Sequence, residues 1–201
     1  MSSQKGEQKS VSRHEIVSKA AARFRKEGLA AVGVRPIMAD AGLTHGAFYA
    51  HFPSRSKLIA AAVDHALSET LALLRAVGDS ADAEHRLDAI IAAYLRPEHR
   101  NCPELGCAAS ALAPELARES EEFRTHFVEG LDGIVGLIAD NLPPGGTVNE
   151  REWRANVIFA LMLGSLQMMR IATTPARIEM HMSAGREVAL ALAQRPWASG
   201  A

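Results

Sequence analysis

The sequence predicts an all-α protein, and three observations carry that prediction. Apolar residues recur at three- and four-residue spacing along most of the 201 residues, as amphipathic helices require. No stretch alternates apolar and polar residues for long enough to read as a strand. The periodic segments are separated by Gly, Pro, Asn and Ser clusters, of which Asn141-Leu142-Pro143-Pro144-Gly145-Gly146 is the plainest. The expected architecture is about nine helices, in a small N-terminal three-helix domain and a larger C-terminal helical bundle.

The elements follow in order. Residues 1–11 are polar and read as a flexible arm. A first helix over 12–27 places Ile16, Ala20 and Phe24 on one face, with Gly28 as its stop. A second covers 34–41, with Gly33 at its N-cap, Pro36 in its first turn and Ile37, Met38 and Ala41 as its apolar set. Gly42 then supplies the positive φ that ends it. Thr44 offers a hydroxyl to cap a third helix over 45–51, and Pro53 and Ser54 end that helix and cap the next. A fourth, over 54–77, carries Leu58, Ala62, Leu67, Leu71 and Leu74 and breaks at Gly78-Asp79-Ser80. A fifth runs over 82–95 and stops before Pro97. Residues 97–106 read as loop, 106–113 as a short helix, and the chain on to about 141 as a long one. The long one turns Phe123, Phe127, Leu131, Ile134, Leu137 and Ile138 inward. Helices over 149–172 and 175–194 complete the chain.

Two short helices joined by a Gly-containing turn make a helix-turn-helix, whose second helix enters the DNA major groove. The side chains fit that role. Thr44 and His45 lie where helix N–H groups favour a phosphate, and Gly46 and Ala47 are small enough for close backbone approach to base edges. Tyr49, His51, Arg55 and Lys57 offer hydrogen-bonding or cationic tips, while Phe48 and Phe52 read as core. Charge agrees. The formal net charge is −1, yet residues 1–60 hold ten Lys and Arg against four Asp and Glu, leaving the remainder acidic. A basic head on an acidic body is the electrostatic footprint of a DNA-binding protein.

Residues 12–65 resemble the DNA-binding domain of TetR-type (TetR/AcrR-like) transcriptional regulators. The signature is Ala41-Gly42-Leu43-Thr44, then Phe48-Tyr49-Ala50-His51-Phe52-Pro53-Ser54 and Lys57-Leu58. A weaker likeness continues through His99-Arg100, Gly106-Cys107, Ala113-Pro114-Glu115-Leu116-Ala117-Arg118 and Leu163-Gly164-Ser165. The resemblance implies a DNA-binding domain over 12–56, an effector-binding and dimerisation domain over 57–201, and an all-helical homodimer. By position, Arg35, Thr44, His45, Gly46, Tyr49, His51 and Lys57 match the family's DNA-contact positions. The chain departs from the family pattern at Gly33, often Ser or Thr there, and at Pro36, which replaces a common polar residue. His45 stands in place of a frequent Lys, and Arg55 is an unusual neighbour for Lys57.

Two functions are expected of the body. The helix over 149–172 is apolar nearly all round between Val157 and Met169 and needs cover on several sides. Val157, Leu161, Gly164, Ser165, Ile178, Met182, Gly185 and Leu192 are the candidate dimer interface, a four-helix arrangement about a two-fold axis. Phe123, Phe127, Leu131, Trp153, Met162, Leu166, Met168 and Met169 are candidate lining of a cavity for a small, mostly apolar effector, with Arg170 or Gln167 as polar anchors. Each of those apolar residues also reads as ordinary core.

Composition excludes several alternatives. There is no Gly-rich phosphate loop, G-x-S-x-G elbow or H-E-x-x-H run, so no catalytic residue or cofactor is assigned. His99, Cys102 and Cys107 lack a fourth ligand, so no metal is assigned either; the two thiols leave open a thiol- or electrophile-sensing regulator. The first ten residues have no apolar signal-peptide core, and the longest apolar run falls short of the roughly 20 residues that span a bilayer. The expectation is a cytoplasmic repressor whose palindromic operator is released on effector binding. A ligand-independent architectural DNA-binding protein is the remaining alternative.

Overall fold

A computed structural model describes residues 2–197, with side chains from residue 10 onward. The described chain is helical, with no strand. In order, α1 is Ser2–Glu27, α2 Val34–Asp40, α3 Phe48–His51, α4 Arg55–Ser80, α5 Arg86–Tyr94 and α6 Pro97–Asn101. They are followed by α7 Ala108–Leu116, α8 Glu121–Asp140, α9 Val148–Ile171 and α10 Pro175–Gln194. Single 3₁₀ turns, His45–Ala47 and Pro103–Leu105, precede α3 and α7.

The chain divides into two compact units, Met1–Glu69 with Cys102–Phe127, and Thr70–Asn101 with Val128–Ala201. The first packs Ile16, Ala20 and Phe24 of α1 against an interior that includes Leu29, Ile37, Met38, Phe48, Phe52 and Leu58, all buried. Four-residue spacing on α1 is what delivers that single apolar edge. Segment 102–127 joins this unit through two polar ties. Buried Arg25 donates to the Gly106 carbonyl at 2.8 Å and to Glu69 at 2.9 Å. Glu115 accepts from the Leu29 N–H at 2.8 Å.

The second unit is built on the α9–α10 hairpin. Thr147 and Glu150 form a reciprocal capping box at the start of α9, a T-x-x-E signal that fixes where the helix begins. Thr174 caps α10 with Pro175 in its first turn. Ile90, Ile91, Ile134, Ile138, Ile158, Met162, Leu166 and Met169 are fully buried. Arg154, buried itself, donates to the Ala193 and Arg195 carbonyls at 3.1 and 2.7 Å and lies 3.5 Å over the Trp197 ring.

Several expected boundaries are corrected. Helical backbone begins at Ser2 rather than at 12, so the segment read as an arm continues α1. Its Gln, Lys and Glu residues are good helix formers but carry no apolar period to reveal it. Helix α4 continues through Gly78 to Ser80, because one Gly inside a helix costs only about 1 kcal/mol. The expected loop over 97–106 contains α6 and a 3₁₀ turn, which makes ten α-helices among the described residues rather than nine. Helix α7 extends past Pro114, and residues 117–120 separate it from α8.

Candidate nucleic-acid interface

The turn grammar places a very short helix at the surface. Gly42 has φ +69° and lets α2 stop, with its own N–H on the Ala39 carbonyl at 3.0 Å. The chain then enters a 3₁₀ turn at Thr44 and tightens into α3. Phe48 and Phe52 anchor this element from below, both buried and stacked with ring centroids 5.9 Å apart. With those two rings inside, the rest of the helix faces out. Thr44, His45 and Gly46 are exposed, Ala47 and His51 half-buried, and Tyr49 is 72% exposed. That exposure leaves the Tyr49 ring and hydroxyl open to a partner.

The Thr44 hydroxyl makes no capping hydrogen bond, contrary to expectation. The first turn is 3₁₀, and the Ala47 N–H goes to the Thr44 carbonyl at 3.1 Å, leaving the hydroxyl to solvent. Ser54 does cap α4, accepting the Lys57 N–H at 3.3 Å.

Seven of the ten cations of the head sort into two groups. Lys19 pairs with Glu15 at 3.2 Å, Arg23 with Glu27 at 2.8 Å and with Asp40, and Arg25 is buried. The Arg23 guanidinium ties α1 to α2 and, by its hydrogen bond, holds the Asp40 carboxyl below the usual carboxylate range. Arg55 belongs with these. Its guanidinium donates to the Leu29 and Val32 carbonyls, the latter at 3.1 Å, and faces the Phe24 ring at 5.8 Å. Arg35 and Lys57 are exposed and make no ion pair among the described residues. Arg13 joins them, exposed and stacked 4.7 Å over the Phe52 ring. The sequence reading counted Arg13 only as bulk charge; its four-residue spacing from Lys9 was the available signal.

Residues 16–62, which hold the helix-turn-helix, match the family model of bacterial regulatory proteins of the tetR family. Over that segment the chain is similar to the TetR family. TetR-family proteins are transcriptional regulators rather than enzymes. The HTH-type transcriptional repressor NemR of Escherichia coli K12 is 24% identical over 156 residues, covering 73% of this chain and 78% of NemR. Among solved structures, a TetR regulator from Chloroflexus aurantiacus superposes with a TM-score of 0.72 at 21% identity, over 90% of this chain and 95% of its own. The reduced form of E. coli NemR gives 0.72 at 19% identity, over 88% and 95%. A TetR-family regulator from Cytophaga hutchinsonii gives 0.75 at 18%, over 92% and 96%. These likenesses share the all-helical TetR fold.

The other expected sites separate on inspection. Of the cavity set, Met162, Leu166 and Met169 are fully buried core and Phe127 is buried. Phe123 and Leu131 are half-buried. Trp153 and Met168 face outward, 61% and 43% exposed. Trp153 borders a concavity of about 270 Å³ together with Glu150, Arg154, Leu192, Arg195, Pro196 and Trp197. The proposed anchors Gln167 and Arg170 are half-buried; Arg170 donates to the His99 carbonyl at 3.2 Å. Of the dimer set, Val157 and Gly164 are exposed, and Leu161, Ser165, Ile178, Met182 and Leu192 half-buried. Gly185 is buried within the chain: a Cβ there would sit 2.4 Å from Ser165 Oγ, so this small pair lets α10 approach α9. Cys107 is buried and Cys102 half-buried, and neither is in a disulfide. Among the described residues no helix is long and apolar enough to cross a membrane, and no His, Cys, Asp and Glu cluster has metal-binding geometry.

Proposed function

We propose that this regulator is a sequence-specific repressor that binds a palindromic operator as a homodimer and releases it when a small, mostly apolar molecule binds the C-terminal region. The observation that carries the reading is the outward row Thr44, His45, Gly46, Tyr49 and Lys57, supported from beneath by the buried Phe48–Phe52 stack. In this reading Gly46 and Ala47 approach base edges. Arg35, Thr44, His45, Tyr49, His51 and Lys57 grip phosphates on either side. Repression is inferred from the relation to NemR, itself a repressor.

One recognition helix of this length reads too few bases, so a two-fold partner is expected. The outward faces of the last two helices support one. On α9, Trp153, Val157, Ala160, Gly164, Met168 and Ile171 recur at three- and four-residue spacing; on α10, Met180, Ala184, Val188 and Ala191 do the same. Isologous packing of that hairpin would cover both stripes. Linkage then fixes the regulation: an effector that prefers the released conformation weakens DNA binding, and DNA weakens effector binding by the same factor.

The test is a substitution series read in binding assays at fixed salt. Tyr49→Ala and Lys57→Ala weaken binding to all sequences alike, whereas changes at Gly46 or Ala47 alter which sequence is preferred. Uniform effects from both sets contradict the division. Val157→Glu with Val188→Glu yields a monomer by sedimentation; an unchanged mass contradicts the interface. Polar metabolites that raise the melting temperature and release DNA, while lipophilic compounds do neither, contradict the apolar effector.

A further inference from the structure

Arg13 lies outside the helix-turn-helix, on α1, yet it is physically joined to it. Its guanidinium sits 4.7 Å over the ring of Phe52, the residue that ends α3. Phe52 stacks on Phe48, and Phe48 meets Tyr49 edge-on with centroids 5.2 Å apart. Arg13 and Tyr49 therefore terminate one continuous row of rings, each exposed at its own end. A guanidinium resting on a ring face is held in place without giving up its N–H donors.

The acids of this face are engaged elsewhere. Glu15 pairs with Lys19 at 3.2 Å, Asp64 with His126 at 2.9 Å and Glu69 with Arg25 at 2.9 Å. No carboxylate lies within ion-pair distance of Arg13 among the described residues. Arg13 also borders a concavity whose rim is Ser10, His14, Asp64, His65 and Ser68, so one polar, open surface surrounds it. A fixed, exposed guanidinium with no counter-ion among the described residues has the chemistry that neutralises a phosphate backbone.

We propose that Arg13 is a second DNA-gripping element that contacts backbone phosphates flanking the bases read by α3. The inference rests on the DNA-binding reading above and extends its footprint beyond residues 35–57. The competing role for Arg13 is packing of its guanidinium over Phe52, which the shorter, uncharged Gln does not reproduce.

The test measures affinity for the selected operator against salt concentration. The full-length wild type is compared with Arg13→Gln and Arg13→Lys. Each lost phosphate contact lowers the slope of log affinity against log salt by about 0.9, so a dimer with Gln at position 13 loses about two units. Sequence preference stays the same, and Arg13→Lys retains the slope. Melting temperatures, read alongside, separate packing from contact: a role as cover lowers the melting temperature of Arg13→Gln and leaves the slope intact. Wild-type operator binding with an unchanged slope in Arg13→Gln overturns this inference alone. Failure of the wild type to select any sequence overturns the reading beneath it as well.

Discussion

The Glu115 carboxylate accepts the Leu29 N–H at 2.8 Å, across 86 residues of sequence, and reaches the Ala30 N–H at 3.2 Å. These are backbone donors freed where α1 ends, and α7 satisfies them with one side chain. Gly28 makes the approach possible: its φ is +87°, and a Cβ there would lie 2.8 Å from Glu115 Oε1. Replacing Glu115 by Ala leaves the two N–H groups without their acceptor and is expected to destabilise the protein by about 1–3 kcal/mol. Chemical denaturation checks it; an unchanged midpoint and slope would show that the bond contributes nothing.

Neighbouring cations have opposite fates, which a paired substitution exposes. Arg55→Ala removes a charged donor from the Leu29 and Val32 carbonyls and is expected to cost about 1–3 kcal/mol of stability. Lys57→Ala, at an exposed position, is expected to stay within about 0.5 kcal/mol of the wild type in stability while weakening DNA binding. Thermal unfolding and DNA titration on the same preparations decide between this assignment and its reverse.

A pH-dependent tether links α5 and α10. Arg186 donates to both oxygens of Asp88, at 2.6 and 2.7 Å, and that hydrogen bonding holds the Asp88 carboxyl below its usual range. A carboxyl depressed in the folded state stabilises it above the unfolded pKa of about 3.9, and the contribution fades as the pH falls through the folded value. The pair is partly exposed, so Asp88→Asn is expected to cost no more than about 1 kcal/mol at pH 7. The gap to wild type should close as the pH falls below the usual carboxylate range. A gap that persisted undiminished in acid would show that the carboxylate's charge is not its source.

The contact of Gly185 with Ser165 predicts a coupled pair. A Cβ on residue 185 would meet Ser165 Oγ at 2.4 Å and its Cβ at 2.7 Å, so Gly185→Ala forces the hairpin apart at a cost of about 1–3 kcal/mol. Ser165→Gly in that background opens the space again. Recovery of part of the lost stability in the double variant confirms the coupling, and strictly additive losses refute it.

What was legible in the sequence was local. The stop at Gly42, the start of α4 after Ser54, and α10 over Pro175–Gln194 were readable because cap and turn residues act on their immediate neighbours. The apolar edge of α1 was readable because Ile16, Ala20 and Phe24 repeat at helical spacing and end up buried. What escaped depends on partners far along the chain. Arg55 looked free until Leu29 and Val32 were folded beside it. Arg25 gave no sign that the Gly106 carbonyl awaited it 81 residues away. Small residues at 165 and 185 signalled a close approach, but not that it occurs within one chain. That Trp153 and Met168 are exposed was not legible, because hydrophobicity alone does not say which side of an apolar helix faces inward.

The proposed function turns on the row from Thr44 to Lys57 reading DNA sequence. The decisive experiment is selection of bound sites from a random pool of duplex DNA, with purified protein at a stated salt concentration. A sequence-reading dimer recovers a palindromic motif whose half-sites are centred about one to one and a half helical turns apart. Recovery of no motif, with binding that is strongly salt-dependent but indifferent to sequence, would contradict it and leave an architectural DNA-binding protein in its place.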